Sequence, residues 1–332
     1  MYVYFPPFIY VFFLITSTLM VVSSSSFFSM WLGLELNILS FIPMMNFPNE
    51  TKKAAESSIK YFLIQSIASS IILFSAIWIF LYSSSSIIFM LNLMMNTALA
   101  TKLGLAPFHA WFPEVMEGLS WSNSLILMTW QKISPMVMLS MFFNSYYIIS
   151  LAVVSAAVGA ISGLNQTSLR KILAFSSISH MGWMLSIMSF NDSLWANYLL
   201  IYFILSFVSC VSFWFFDLNF LSQLFMLKDA TIKTLVFLNL LSTGGMPPLL
   251  GFLAKLNGFA AMSTNMPMFL ILVFSSLITL FFYTRICMSA FTLSQENFLP
   301  NIIGPKKKDM LTNSFILIMS TIAFSPACFM IF

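Results

Sequence analysis

Lys102-Leu-Gly-Leu-Ala-Pro107-Phe-His109-Ala-Trp-Phe-Pro113-Glu114 cuts through an apolar run that extends from 87 to 118. A second stretch of the same kind, Ser242-Thr-Gly244-Gly245-Met-Pro247-Pro248-Leu-Leu-Gly251-Phe-Leu-Ala-Lys255, cuts through the run 231–262. Proline removes a helical N–H and its ring clashes with the preceding turn, and glycine adds backbone freedom. Both runs are therefore expected to break partway, at Pro107 and at Gly244, Gly245, Pro247 and Pro248. The simpler reading is a kink. Freed backbone groups need protein or water around them, not hydrocarbon.

The rest of the chain says why hydrocarbon matters. Of 332 residues, 60% are hydrophobic and only 7% are charged, and the mean hydropathy is +0.94. A soluble core does not need so much apolar surface, whereas a bilayer does. Eleven membrane segments are expected, at 3–22, 24–46, 57–82, 87–118, 121–143, 146–164, 168–189, 194–217, 231–262, 266–290 and 311–332. Serine runs Ser23–Ser26 and Ser83–Ser86 mark turns. The first apolar run begins almost at Met1, with no basic n-region and no small-residue cleavage site, so no signal or transit peptide is expected. Cys210, Cys287 and Cys328 stand alone, which gives no support to disulfide frameworks, zinc sites or iron–sulfur ligation. Met (25) and Phe (38) are used heavily. That is either lipid-facing filler or the mark of an AT-rich mitochondrial gene.

The two breaks fall in the fourth and the ninth segments, five apart. If 3–143 and 146–290 are five-helix repeats, each carries its break in its own fourth helix. Five is odd, so the second repeat inserts upside down. Paired broken helices in inverted repeats are the architecture of secondary transporters. The expected fold is thus an all-α polytopic membrane protein with two five-helix inverted repeats and a C-terminal helix at 311–332 outside them.

Charge is scarce in the apolar segments, which makes the exceptions informative. Lys102, Lys132, Lys255 and Glu35 each lie within one. A charge there costs about 2.5–3.5 kcal/mol on insertion scales. Burial penalises the charged form of a lysine and a nearby carboxylate favours it. A lysine held between these pulls switches protonation when a neighbouring charge moves, as a proton relay requires. The alternative is a static ion pair of Glu35 with one lysine, but one carboxylate cannot neutralise three. A structural spacer has no reason to keep such charges. His109 and His180 titrate near neutral pH. His180 lies in the polar stripe Ser176-Ser177-Ile-Ser179-His180, which suits either a file of water or interhelical hydrogen-bond glue. Glu114 and Glu117, near the end of the first broken segment, are expected in a solvated or interfacial location.

The other basic residues are Lys52, Lys53, Lys60, Arg170, Lys171, Lys228, Lys233, Arg285 and Lys306–Lys308. With eleven spans all fall on the side of the N-terminus, which the positive-inside rule places in the matrix or cytoplasm, with Phe332 on the other side. No catalytic triad, Walker loop, dinucleotide fingerprint or haem-attachment site occurs, so any redox chemistry belongs elsewhere.

Five motifs occur in order: Trp31-Leu-Gly-Leu-Glu35-Leu-Asn37, Lys102 to Glu114, Thr129-Trp-Gln-Lys132-Ile-Ser-Pro135, Gly163-Leu-Asn-Gln-Thr-Ser-Leu-Arg170-Lys171 and Gly244 to Lys255. Together they resemble the antiporter-like subunit 2 family of mitochondrial NADH:ubiquinone oxidoreductase, respiratory complex I. The Met-rich style is similar to that of invertebrate, arthropod-like members. The resemblance implies a proton-translocating subunit of the inner mitochondrial membrane. In the family, residues matching Glu35, Lys102, Lys132 and Lys255 line a polar axis, and Glu35 pairs with Lys102. His180 and His109 are carried over less directly. It implies no cofactor in this chain, with NADH, FMN, iron–sulfur clusters and ubiquinone held by other subunits. Expected partners are other membrane-arm subunits, including neighbouring antiporter-like ones, and lipids such as cardiolipin, with no nucleic acid. Bacterial relatives carry three further N-terminal helices. A stand-alone or Mrp-like cation/proton antiporter shares the lysine and glutamate pattern and is the alternative.

Overall fold

The computed structural model describes residues 7–47, 51–82, 84–142, 145–191, 193–227, 230–247, 249–262 and 266–292. Lys228, Pro248, Lys306–Lys308, Cys328 and the segment expected at 311–332 lie outside them. The described residues are almost wholly α-helical. Six of their helices are long and apolar enough to cross a membrane. The chain divides into two compact units between Ser155 and Ala156.

The first unit holds α1 (Pro7–Ser23), α2 (Phe27–Asn46), α3 (Lys52–Leu81), α4 (Ser85–Leu103), α5 (Trp111–Gly118), α6 (Trp121–Met128) and α7 (Trp130–Met141). The division falls within α8 (Ser145–Ser162). The second unit continues with α9 (Leu169–Met188), α10 (Leu194–Phe215), α11 (Leu221–Phe225), α12 (Ala230–Gly244), α13 (Leu250–Ala261) and α14 (Met266–Thr292). Polarity is arranged for a lipid solvent. Phe12, Phe62, Phe74, Phe80, Leu200 and Phe274 are exposed, whereas Gln65, Asn37, Ser134, Ser177 and three of the apolar-segment charges are buried. Hydrocarbon accepts the first set and cannot satisfy the second.

The third segment was expected to begin at 57, but α3 starts at Lys52. The Thr51 hydroxyl accepts from the Ala54 N–H at 3.1 Å, an N-cap that satisfies one orphan donor and lets Lys52, Lys53 and Glu56 enter the helix. Helices α1 and α2 pack through Gly33, where a Cβ would approach Val21 to 2.6 Å; small residues allow such close approach.

Both long apolar runs are interrupted by the same device. Helix α4 ends with Gly104 N–H donating to the Thr101 carbonyl and Leu105 N–H to the Ala100 carbonyl. Helix α12 ends with Gly245 N–H donating to Ser242 and Met246 N–H to Leu241. Each is a Schellman motif, which needs a residue in the left-handed region; Gly104 has φ 69° and Gly245 φ 78°. The prolines that follow prevent the helix from resuming at once, and new helices start at Trp111 and Leu250.

A third interruption lies where the sequence suggested a continuous helix, in 121–143. Helix α6 stops at Met128 and α7 begins at Trp130, with Thr129 at φ −111° and ψ −76° between them. Pro135 has no N–H for the Gln131 carbonyl one turn earlier, and its ring crowds that turn. The Thr129 hydroxyl closes the stub by donating to the Leu125 carbonyl at 2.7 Å. Lys233 also differs from its grouping with loop residues: it lies in α12 and is buried.

Candidate polar site of the helix bundle

In the first unit α2 to α7 surround a small cavity lined by Asn37, Tyr61, Gln65, Lys102, Gln131, Lys132 and Ser134, with Trp111 and Phe112 among its apolar walls. About 20 Å³ is open to the centre of a water molecule, room for one or two waters among polar partners. Lys102 and Lys132 are 6% and 3% exposed. Lys102 sits in the last turn of α4, where the negative end of the helix dipole favours a cation. Its Nζ makes no hydrogen bond among the described residues. The Lys132 ammonium lies over the Phe112 ring at 5.3 Å from the centroid.

A one-way string of hydrogen bonds runs beside these lysines. Tyr61 Oη donates to Gln131 Oε1 at 3.3 Å. Gln131 Nε2 donates to Asn37 Oδ1 at 2.9 Å, and Asn37 Nδ2 donates to Ser134 Oγ at 3.2 Å. Backbone ends are tied as well. Gln65 Nε2 donates to the Lys102 carbonyl at 3.2 Å, and Trp111 Nε1 donates to the Thr101 carbonyl at 3.0 Å. The Lys102 carbonyl at the end of α4 is therefore satisfied from α3, and the Thr101 carbonyl, which already accepts from Gly104 N–H, takes a second donor from α5.

Glu35 is half-buried on α2. Its charge acts on Lys102, but no ion pair within 4.0 Å joins Glu35 to a lysine among the described residues. Lys60 instead takes two carboxylates, Glu56 at 2.8 Å and Glu114 at 2.9 Å, on an exposed surface that links α3 to α5. Glu114 is exposed and Glu117 partly so. His109 lies in the turn between α4 and α5, partly exposed, and its carbonyl accepts from Phe112 N–H at 3.0 Å. Neither His109 nor either glutamate lines the cavity.

The second unit contains a separate polar cluster at the end of α12. Lys255, on α13 and 4% exposed, donates from Nζ to the Gly244 carbonyl at 2.7 Å. His180 reaches the adjacent Thr243 carbonyl through Nε2 at 3.2 Å. A carbonyl only accepts, so Nε2 carries the proton. When the ring is neutral, Nδ1 accepts from the Tyr198 hydroxyl, 2.8 Å away. Two neighbouring orphan carbonyls are thus covered by two titratable side chains. The clearance is tight: a Cβ on Gly245 would lie 2.8 Å from Lys255 Nζ, and a Cβ on Gly251 would collide with the Ser242 carbonyl.

Helix α9, which carries His180, is buried from Ile172 to Met188. The hydroxyls of Ser176, Ser177 and Ser179 donate to carbonyls three residues back, at 2.9, 2.7 and 2.7 Å. The hydroxyl protons of these three serines are thus taken by carbonyls of α9 itself. The sequence alone does not single out Asn37, Tyr61, Gln65, Gln131 or Tyr198 as site residues. Asn37 has the nearest signal, a polar residue two positions from Glu35 in an apolar segment. No group of three or more His, Cys, Asp or Glu among the described residues could hold a metal ion.

Comparison with known proteins gives a consistent set of similarities. Residues 24–280 match the family described as NADH:quinone oxidoreductase/Mrp antiporter, transmembrane. The chain is similar to NADH-ubiquinone oxidoreductase chain 2 of Anopheles gambiae, 45% identical over 95% of this chain and 92% of that one. Its fold is similar to a chain of respiratory complex I from Thermus thermophilus with bound aureothin, with a TM-score of 0.82 at 21% identity, covering 96% of this chain and 76% of that one. It is also similar in fold to a chain of the Mrp complex from Dietzia sp., with a TM-score of 0.73 at 16% identity, covering 90% and 61%.

Proposed function

Because the chain belongs to the NADH:quinone oxidoreductase/Mrp antiporter transmembrane family, we propose that it is a core membrane-arm subunit of mitochondrial respiratory complex I that moves protons across the inner membrane. Electron transfer from NADH to ubiquinone is carried out in other subunits, which hold FMN, the iron–sulfur clusters and the quinone. In this chain the work falls to Glu35, Lys102, Lys132 and Lys255. The observation that carries the reading is that two buried lysines, Lys102 and Lys132, line one small polar cavity.

The chemistry is electrostatic. A carboxylate that approaches a buried ammonium favours its charged form, and one that withdraws favours proton release. Glu35 stands outside ion-pair distance, close enough for its charge to act on Lys102, so a small shift of α2 against α4 changes the interaction. Water in the cavity links Lys102 to Lys132, since Asn37 and Gln131 are amides that hold protons but do not pass them on. Lys255 is docked on the Gly244 carbonyl and serves as the corresponding group of the second unit. His109 sits outside the cavity and belongs to the proton route only as a surface group. His180 holds the end of α12. Eleven spans, a matrix-side N-terminus, the repeats 3–143 and 146–290, the C-terminal helix at 311–332 and cardiolipin among the bound lipids belong to the same proposal.

A stand-alone or Mrp-like cation/proton antiporter is the second reading, favoured by the shared family and the fold likeness to the Mrp complex. The 45% identity over nearly the full length to an NADH-ubiquinone oxidoreductase chain weighs against it. The test replaces Lys102, Lys132 and Lys255 with Met together in a tractable homologue. Native electrophoresis should show the protein only in a very large assembly, and proton translocation in reconstituted enzyme should be lost. Normal pumping, or a free-standing protein, would overturn the reading.

A further inference from the structure

We propose that Asn37 is a positioning residue that fixes Lys132 and ties it mechanically to Glu35 through α2; this rests on the reading that Lys132 handles protons. The turn that carries Lys132 is poorly held by its own helix. It starts at the Thr129 interruption, and the Lys132 N–H reaches back only three residues, to the Thr129 carbonyl at 3.2 Å. Three residues further on, Pro135 offers no N–H to the Gln131 carbonyl. What holds the turn is the amide of Asn37. Its Oδ1 accepts from Gln131 on one side of Lys132, and its Nδ2 donates to Ser134 on the other. Asn37 is 2% exposed and Ser134 fully buried, so bulk solvent does not reach these bonds, although they border the small cavity. Tyr61 completes the clamp by donating to Gln131 from α3.

Two consequences follow from the chemistry. An amide that gave up an N–H would have to pass through an imidic acid, so the string from Tyr61 to Ser134 holds geometry and does not conduct. Asn37 also lies two residues from Glu35 on one rigid element. A movement of α2 that alters the distance from Glu35 to Lys102 must therefore pull on both flanks of Lys132. One helix then links the carboxylate and both lysines of the cavity.

The test uses the assembled complex of a genetically tractable homologue, reconstituted in liposomes, with Asn37→Leu, Gln131→Met, the double variant, Ser134→Ala and Lys132→Met. Proton translocation, quinone reduction and their pH profiles are measured on equal amounts of assembled enzyme. Asn37→Leu should lower coupled turnover at least five-fold and displace the pH profile in the same sense as Lys132→Met. The double variant should be no worse than Asn37→Leu alone, because both remove one clamp. A wild-type rate and pH profile in assembled Asn37→Leu, or losses that multiply in the double variant, would overturn the proposal. If Asn37→Leu fails to assemble, Ser134→Ala decides, since it removes one flank and keeps the other: a displaced pH profile supports the clamp and an unchanged one defeats it. Normal pumping in Lys132→Met defeats the underlying reading and this proposal together. Loss in Lys132→Met beside normal Asn37→Leu defeats this proposal alone.

Discussion

His180 shows how much one side chain's bonding decides. As a residue of the sequence it is a titratable group in a polar stripe, suited to carrying protons. In the fold it donates through Nε2 to the Thr243 carbonyl and accepts through Nδ1 from Tyr198. A proton taken at Nδ1 would have to leave through a bond that ends on a backbone carbonyl. The arrangement pins the end of α12 beside the residue on which Lys255 is docked. His180→Leu leaves two buried groups without partners, each costing about 1–3 kcal/mol, and should lower the thermal midpoint of the detergent-solubilised complex together with its activity. A glutamine amide can place a donor near the position of Nε2. His180→Gln should therefore keep most of the proton-coupled turnover, measured per assembled enzyme. Equal loss of turnover in both variants, with stability retained by glutamine, would show that the imidazole itself carries the proton.

At the scale of elements, the interruptions of α4 and α12 could be read from Pro107, Gly104, Gly245 and Pro247, because glycine followed by proline states a stop in local terms. The interruption at Thr129 has no such local signal beyond Pro135, six residues later. A proline deforms the turn before it, and whether that turn bends or breaks depends on partners from distant sequence, here Asn37 on α2 and Tyr61 on α3. The clamp itself was invisible for the same reason: its members are 94 and 97 residues apart, and no periodicity pairs them. Pro135→Ala tests the account. It restores an N–H to the Gln131 carbonyl, a bond with a net contribution of about 0.5–1.5 kcal/mol, and lets α6 and α7 approach one continuous helix. The assembled complex should become no less heat-stable, while proton translocation per quinone reduced falls because Lys132 leaves its place over Phe112. Unchanged coupling would mean that the interruption does not set the position of Lys132.

For the whole molecule, the lipid-solvent pattern follows from composition, and the alternation of loops can be checked within each unit. Lys60 near the start of α3 meets Glu114 in α5, and Asn123 near the start of α6 donates to the Met44 carbonyl at the end of α2 at 2.7 Å. In the second unit, the Ser168 loop pairs with the Phe220 loop through an antiparallel bridge, and Arg170 donates to Asn219 at 2.8 Å. Each pairing joins segment ends that the expected span count assigns to one side, and opposite faces of a bilayer core would lie about 30 Å apart. The basic residues Lys52 and Lys53 lie near such an end in the first unit and Arg170 and Lys171 near one in the second, and the proposed orientation, which follows the positive-inside rule, puts them in the matrix. Protease added to intact mitoplasts should leave the loops near Lys52 and Arg170 uncut, whereas inside-out submitochondrial particles should expose them. Cleavage near Lys52 or Arg170 from the intermembrane side would reverse the orientation.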